Sequence, residues 1–254
     1  MIFWLKVAMH HLRFINLSFW RNPSAAFFGI VFPLMILSIN SAIFGRETIH
    51  VHGAAISAAA FYVAGMSVFA VMMTCFTNLA TSVVFDRDMG RLKRIRGTPT
   101  PVSAYVCARL VFAIGAGLLT SLLCVADGAL FFGVAVSGPN LLLFLATIVI
   151  GSASIGAVAL AAASAIPNAQ AAPAMLNAAT FPILFLSNVF YPVDSLPGWL
   201  IAITRILPIR PLGSAAIGAF FGRGLSLSDL AIVLAWGVFG ALFAARFFRW
   251  QPRR

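Results

Sequence analysis

The sequence predicts an all-α integral membrane protein, and three observations carry that expectation. The 254 residues are 61% hydrophobic and 9% charged, with a mean hydropathy of +1.01; a soluble domain carries about 25% charged residues. That little polar surface cannot cover a water-soluble globule, so the chain belongs in lipid. Six apolar spans follow one another along it, and the basic residues fall between them. The net charge of +11 is therefore read as an orientation signal and not as a nucleic-acid footprint. No polar linker, repeat or low-complexity segment interrupts the chain, which predicts a single membrane domain over residues 1–254.

The elements follow in order. Residues 1–21 predict an interfacial helix: Lys6, His10, Arg13 and Arg21 share one narrow arc, while Trp4, Leu5, Ile15 and Phe19 lie on the wider apolar side. No small-residue cleavage site follows it, so it is not read as a secretory signal. The first span is Ser24–Gly45, 22 residues or about 33 Å of helix. The second, Ala54–Val84, exceeds the membrane and should tilt or project beyond it. Val102–Val136, Leu141–Ile166, Ala171–Tyr191 and Leu230–Phe248 complete the six. Pro33, Pro173 and Pro182 lie inside spans, where embedded helices tolerate them.

Residues 192–228 differ: their apolar pieces are about ten residues long, broken by Pro and Gly, too short to cross. They predict re-entrant or interfacial helices on the outer side. Pro192, Pro197, Pro208 and Pro211 remove backbone donors, Asp194 is placed to cap a short helix, and Trp199 to anchor it. Irregular backbone at membrane depth must be buried or face water. Pro192, Asp194, Pro197, Trp199 and Pro208 are thus the candidate extracellular gate. Of the 17 Lys and Arg, all but Arg46, Arg205, Arg210 and Arg223 fall on the N-terminal side of the six-span topology. The positive-inside rule then puts both termini in the cytosol.

The stretch "DRDMGRLKRIRGTPTP", residues 86–101, concentrates charge in the cytosolic connection between the second and third spans. Basic residues beside a membrane are ordinary anchors, but Asp86 and Asp88 add nothing to anchoring. Gly90 and Gly97 bracket a short turn from Leu92 to Ile95, and Pro99 and Pro101 fix the restart of the next span. A short charged helix on a rigid mount suits a docking surface. The candidate docking residues are Asp86, Asp88, Gly90, Arg91, Lys93, Arg94 and Gly97, with Arg91, Lys93 and Arg94 as the contacts.

This connection resembles the acidic-to-Gly-to-Thr-Pro signature of permeases of the ABC type-2 exporter class. "FLSNVFYPVDSLPGWLIAITRILPIRPL", residues 185–212, is similar to a second segment of that class, especially in its daunorubicin and multidrug-resistance branch. The resemblance implies an interfacial elbow helix, six transmembrane helices, a coupling helix at residues 86–97, and extracellular re-entrant helices. It also implies a second permease copy or paralogue and two separate ATP-binding-cassette ATPase subunits, which would bind ATP and Mg. The chain itself has no G-x-x-x-x-G-K-[ST] loop, so no cofactor, metal or catalytic residue is expected in it. The implied activity is export of a drug-like amphiphile or lipid across the cytoplasmic membrane of a bacterium. The alternatives are an ion-coupled secondary transporter or a non-transporting membrane subunit. The first would need acids near the midplane, and Asp127, the one carboxylate well within an apolar run, lies near the outer end of the third span.

Overall fold

The computed structural model describes residues 2–51, 54–98, 100–187, 189–190 and 198–247. Helix α1 (Ile2–Trp20) leads into α2 (Pro23–Phe44), and a two-stranded antiparallel hairpin, β1 (Thr48–Val51) and β2 (Ala54–Ser57), follows. Then come α3 (Ala58–Asp88), α4 (Arg91–Arg96), α5 (Val102–Phe132) and α6 (Gly138–Ala165). The last four are α7 (Ala172–Phe185), α8 (Gly198–Ile206), α9 (Ile209–Phe220) and α10 (Leu227–Phe247). Among the described residues five helices, α2, α3, α5, α6 and α10, are long and apolar enough to cross a membrane.

Helix α3 is the axis of the bundle. In its most apolar window 89% of the residues are buried, against 17% for α10 and 28% for α2 and α5. A helix apolar on all sides can be stable only when other helices surround it, and Phe61, Met66 and Phe69 are almost wholly buried. Helix α10 instead turns Leu234, Val238, Phe239 and Leu242 outward. Helix α1 buries Ile15 and Phe19 against the bundle, ties Trp4 Nε1 to Ser103 Oγ at 2.9 Å, and leaves Phe3, Leu5 and Met9 exposed for lipid. Asn22 caps α2: its side chain accepts the Ala25 N–H at 3.3 Å, and Pro23 occupies the first turn.

Close packing rests on small residues, as the run "GSASIGAVALAAASA" in α6 leads one to expect. A Cβ on Gly237 or Gly240 of α10 would stand 2.7–2.9 Å from atoms of Ser154, Ala157 and Val158 on α6. Two π-helical stretches, Phe27–Val31 in α2 and Met72–Asn78 in α3, face each other across Gly29, whose added Cβ would meet Asn78 and Thr74. Pro33 has no N–H for the Gly29 carbonyl, and Thr120 Oγ1 supplies a donor to it at 3.4 Å.

Most span ends differ from the sequence reading by a few residues, and three of the differences matter. The second span begins at Ala58 rather than Ala54, because Thr48–Val51 and Ala54–Ser57 pair as strands; β-branched Thr48, Ile49 and Val51 favour that geometry. It also runs on to Asp88, so Asp86 and Asp88 belong to α3 and not to the short charged helix. The fifth span is shorter than expected. Helix α7 has 14 residues, about 21 Å against roughly 30 Å of hydrocarbon. It starts beside the last turn of α3 and ends in a turn at Leu186 and Ser187. There it meets α9: a Cβ on Gly213 would lie 2.9 Å from the Ser187 carbonyl. Leu212 packs on Gly151, halfway along α6, whereas Phe220 and Gly222 reach Phe144 and Asn140 near the start of α6. Helix α7 therefore rises from the α4 end to mid-depth, and α9 continues from there to the hairpin end.

Candidate functional site

The charged connection is built on a change of backbone hand. Met89 ends α3, and Gly90 takes φ +70° with nothing within 4 Å of where a Cβ would stand. Only glycine adopts that conformation without strain, and it redirects the chain so that α4 starts at Arg91. Gly97 closes α4, its N–H bonded to the Lys93 and Arg94 carbonyls. The two glycines bracket the helix as their spacing implies. Leu92 is fully buried and seats α4 on the bundle.

Asp86 lies at the centre. It is 5% exposed, and its carboxylate accepts bonds from three partners: Arg91 Nη1 at 3.0 Å, the Tyr105 hydroxyl at 2.8 Å, and Arg109 Nη2. Arg109 also donates from Nη1 to Ser82 Oγ at 2.8 Å and from Nε to the Tyr105 oxygen at 3.2 Å. One carboxylate thus ties the end of α3 to both α4 and α5. Two arginines share its single charge, leaving the cluster one positive charge in excess. Arg91 further lies over the Phe85 ring, 5.9 Å from its centroid.

The neighbouring residues point the other way. Arg87 is 1% exposed and donates to the Ala163, Ile166 and Pro167 carbonyls at 3.0, 2.7 and 3.2 Å, satisfying the open carbonyl end of α6. Asp88 pairs with Arg87 at 3.5 Å and accepts the Ala169 N–H, fixing the connection from α6 to α7.

The expected docking set accordingly divides. Asp86 and Asp88 are engaged in internal ties, and Arg91 is half committed to Asp86. Lys93, Arg94 and Arg96 are exposed and have no ion-pair partner among the described residues. Sequence reasoning missed Arg87, Tyr105 and Arg109. Tyr105 and Arg109 stand one turn apart on α5, as do Ser82 and Asp86 on α3. Such facing i, i+4 polar pairs at two helix ends were the available signal.

Two adjoining cavities lie beside this cluster, between α1 and the ends of α3 and α5, with volumes near 330 and 300 Å³. They share Phe14, Ile15, Asp86, Arg91 and Arg109. The larger reaches Thr74 and Asn78 of the π-helical stretch; the smaller ends at His10, Arg94 and Ile95. His11 stands edge-on to Tyr105, 5.9 Å between centroids. Burial, then the neighbouring His10 and Arg109, push its imidazole below the usual range.

Of the outer segment, Pro192, Asp194 and Pro197 lie outside the described residues. Trp199 is in the first turn of α8, and Pro208 is buried as the residue that caps α9. Arg210, counted from sequence among outer-side charges, is buried and donates to Thr204 Oγ1 at 2.6 Å. Asp127 accepts the Ser38 hydroxyl at 3.1–3.2 Å, linking α5 to α2 toward the hairpin end rather than at mid-depth.

A bundle of this kind, with an amphipathic leading helix and a short charged helix set between two apolar helices long enough to cross a membrane, is that of an integral membrane protein. Residues 12–221 match the ABC-2 type transporter family, and the chain belongs to that family. A protein of Escherichia coli K12 named as a probable multidrug ABC transporter permease, YbhS, is 26% identical over 166 residues. That match covers 65% of this chain and 44% of the relative. The YbhS of Escherichia coli O157:H7 gives the same figures. The chain thus matches less than half the length of these relatives.

Proposed function

We propose that this chain is the permease subunit of an ATP-driven exporter in the cytoplasmic membrane of a bacterium, with both termini and α4 in the cytosol. It would work with a second permease, copy or paralogue, and with two ATP-binding-cassette ATPase subunits that bind ATP and Mg. Its cargo is a drug-like amphiphile or lipid. One observation carries the reading: α4 is a six-residue helix that shows Lys93, Arg94 and Arg96 outward while Arg91 bonds inward to Asp86 of α3, the carboxylate that also ties α3 to α5. A load applied to α4 passes through Arg91 and Asp86 into α3, and through Arg109 and Tyr105 into α5. An external machine that moves α4 therefore moves α3, the axis of the bundle, and with it the packing on which alternating access depends. The broken α7–α9 passage gives the outer half a separately movable piece, consistent with a gate formed by residues 192–208.

The test reverses the free charges. Lys93→Glu, Arg94→Glu and Arg96→Glu together leave the Asp86 cluster intact, so the protein should still insert and purify. Recovery of the ATPase from detergent should fall at least tenfold, and ATP-dependent uptake of amphiphile into inverted vesicles should stop. Unchanged recovery would refute docking through α4.

A further inference from the structure

The two cavities under α1 adjoin, with five lining residues in common, and the cleft they line changes in chemistry along its length. At the α4 end its walls are cationic: Arg91 and Arg109 share one carboxylate, and Arg94 has no ion-pair partner among the described residues. From Asp86 to Thr74 the cleft follows α3 for 12 residues, about 18 Å. Along that length the wall becomes Phe19, Leu79, Phe112 and Ala113. The π-helical turn at its far end adds Thr74 and Asn78 without adding charge. The other side of the cleft is α1, whose exposed Phe3, Leu5 and Met9 put it at the membrane surface. The mouth is therefore open to lipid headgroups. Each cavity alone is at the lower end of small-ligand sites, which run roughly from 300 to 1,000 Å³, so together they suit one headgroup and one chain.

We propose that this cleft binds an anionic membrane phospholipid drawn from the leaflet on the α4 side. The phosphate lies against Arg91 and Arg94, one acyl chain runs along Phe19, Leu79 and Phe112, and the second chain stays in the bilayer. Excess positive charge at a membrane surface attracts anionic headgroups, and a planar guanidinium pairs with phosphate through two parallel bonds. Asp86 does not oppose this, because its oxygens already accept from Arg91, Arg109 and Tyr105. The lipid would brace α1 against α3 and α5 at the point where α4 is mounted. The inference rests on the membrane placement of the bundle and not on an ATPase partner.

The purified full chain in neutral detergent tests this with a pyrene-labelled phosphatidylglycerol, read by energy transfer from Trp4 and Trp20 of α1. Unlabelled phosphatidylglycerol should displace the probe at a concentration at least tenfold lower than phosphatidylcholine. Glycerol phosphate, the headgroup without a chain, should not displace it at millimolar concentration. Arg94→Gln, at an exposed position remote from the fold's ties, should weaken binding about fivefold. Ala113→Trp should abolish it by filling the chain channel. Equal displacement by both lipids, or an unchanged Arg94→Gln, would overturn the proposal. Displacement by glycerol phosphate as effective as by the lipid would reduce the cleft to an anion site and overturn it too. No ATPase is present in this assay, so failure here leaves the docking role of α4 standing, and failure of docking leaves the lipid site standing.

Discussion

Asp86 shows how a charged residue in a membrane protein can be misjudged from sequence. In the stretch "DRDMGRLKRIR" it reads as part of an exposed charged helix, yet it is buried with three donors around it. The helical period of α3 continues past the apolar run, and this turns Asp86 inward toward Tyr105 and Arg109 of the next span. Gly90 was legible because a glycine between two charged runs has few other uses, and its φ of +70° supplies the physical reason. Removing one member of a buried, hydrogen-bonded ion cluster leaves the rest unpaired and costs about 3–5 kcal/mol. Asp86→Ala should therefore destabilise the protein by that amount in detergent unfolding, since it strands Arg109. Tyr105→Phe removes the hydroxyl that donates to Asp86 and accepts from Arg109, while those two charged groups keep each other, and should cost about 1.5–3 kcal/mol. A smaller loss for Asp86→Ala than for Tyr105→Phe would contradict the central place given to the carboxylate.

At the scale of the element, the apolar runs locate the helices well and their ends poorly. Five of the six expected spans appear as helices long enough to cross, with ends displaced by a few residues. The fifth does not, because hydropathy cannot tell a continuous crossing from two short helices meeting at mid-depth. The approach of Gly213 to the Ser187 carbonyl depends on two segments 26 positions apart, and no local pattern carries it. Nor does composition reveal that α3 is central and α10 peripheral, since both are strongly apolar. Close packing of α6 was legible through its small residues, but not that α10 is the helix packed there. A side chain at Gly240 would stand 2.7–2.8 Å from the backbone of Ala157 and Val158, with no flexible group to yield. Gly240→Leu should separate α10 from α6 and cost at least about 1–3 kcal/mol. Limited proteolysis should then release α10, whereas Leu242→Ala, at a 66% exposed position on the same helix, should leave the digestion pattern unchanged.

Over the whole molecule, the arrangement has a mechanical logic. The helix most enclosed by others ends in the residue cluster that mounts α4, so a displacement of α4, as proposed above, would be felt along the axis of the bundle. The opposite end carries the hairpin and the end of α9. If α4 is the cytosolic input, a partner that binds and hydrolyses ATP must touch Arg94 and must not touch Arg46, which is at the hairpin end. A photo-crosslinking residue placed at either position in native membranes tests this directly, with azido-ATP labelling of whatever protein is captured. The account predicts an ATP-labelled adduct from position 94, lost when Lys93 and Arg96 are changed to Glu, and none from position 46. An ATP-labelled adduct from position 46, or one from position 94 that survives the charge reversal, would contradict it.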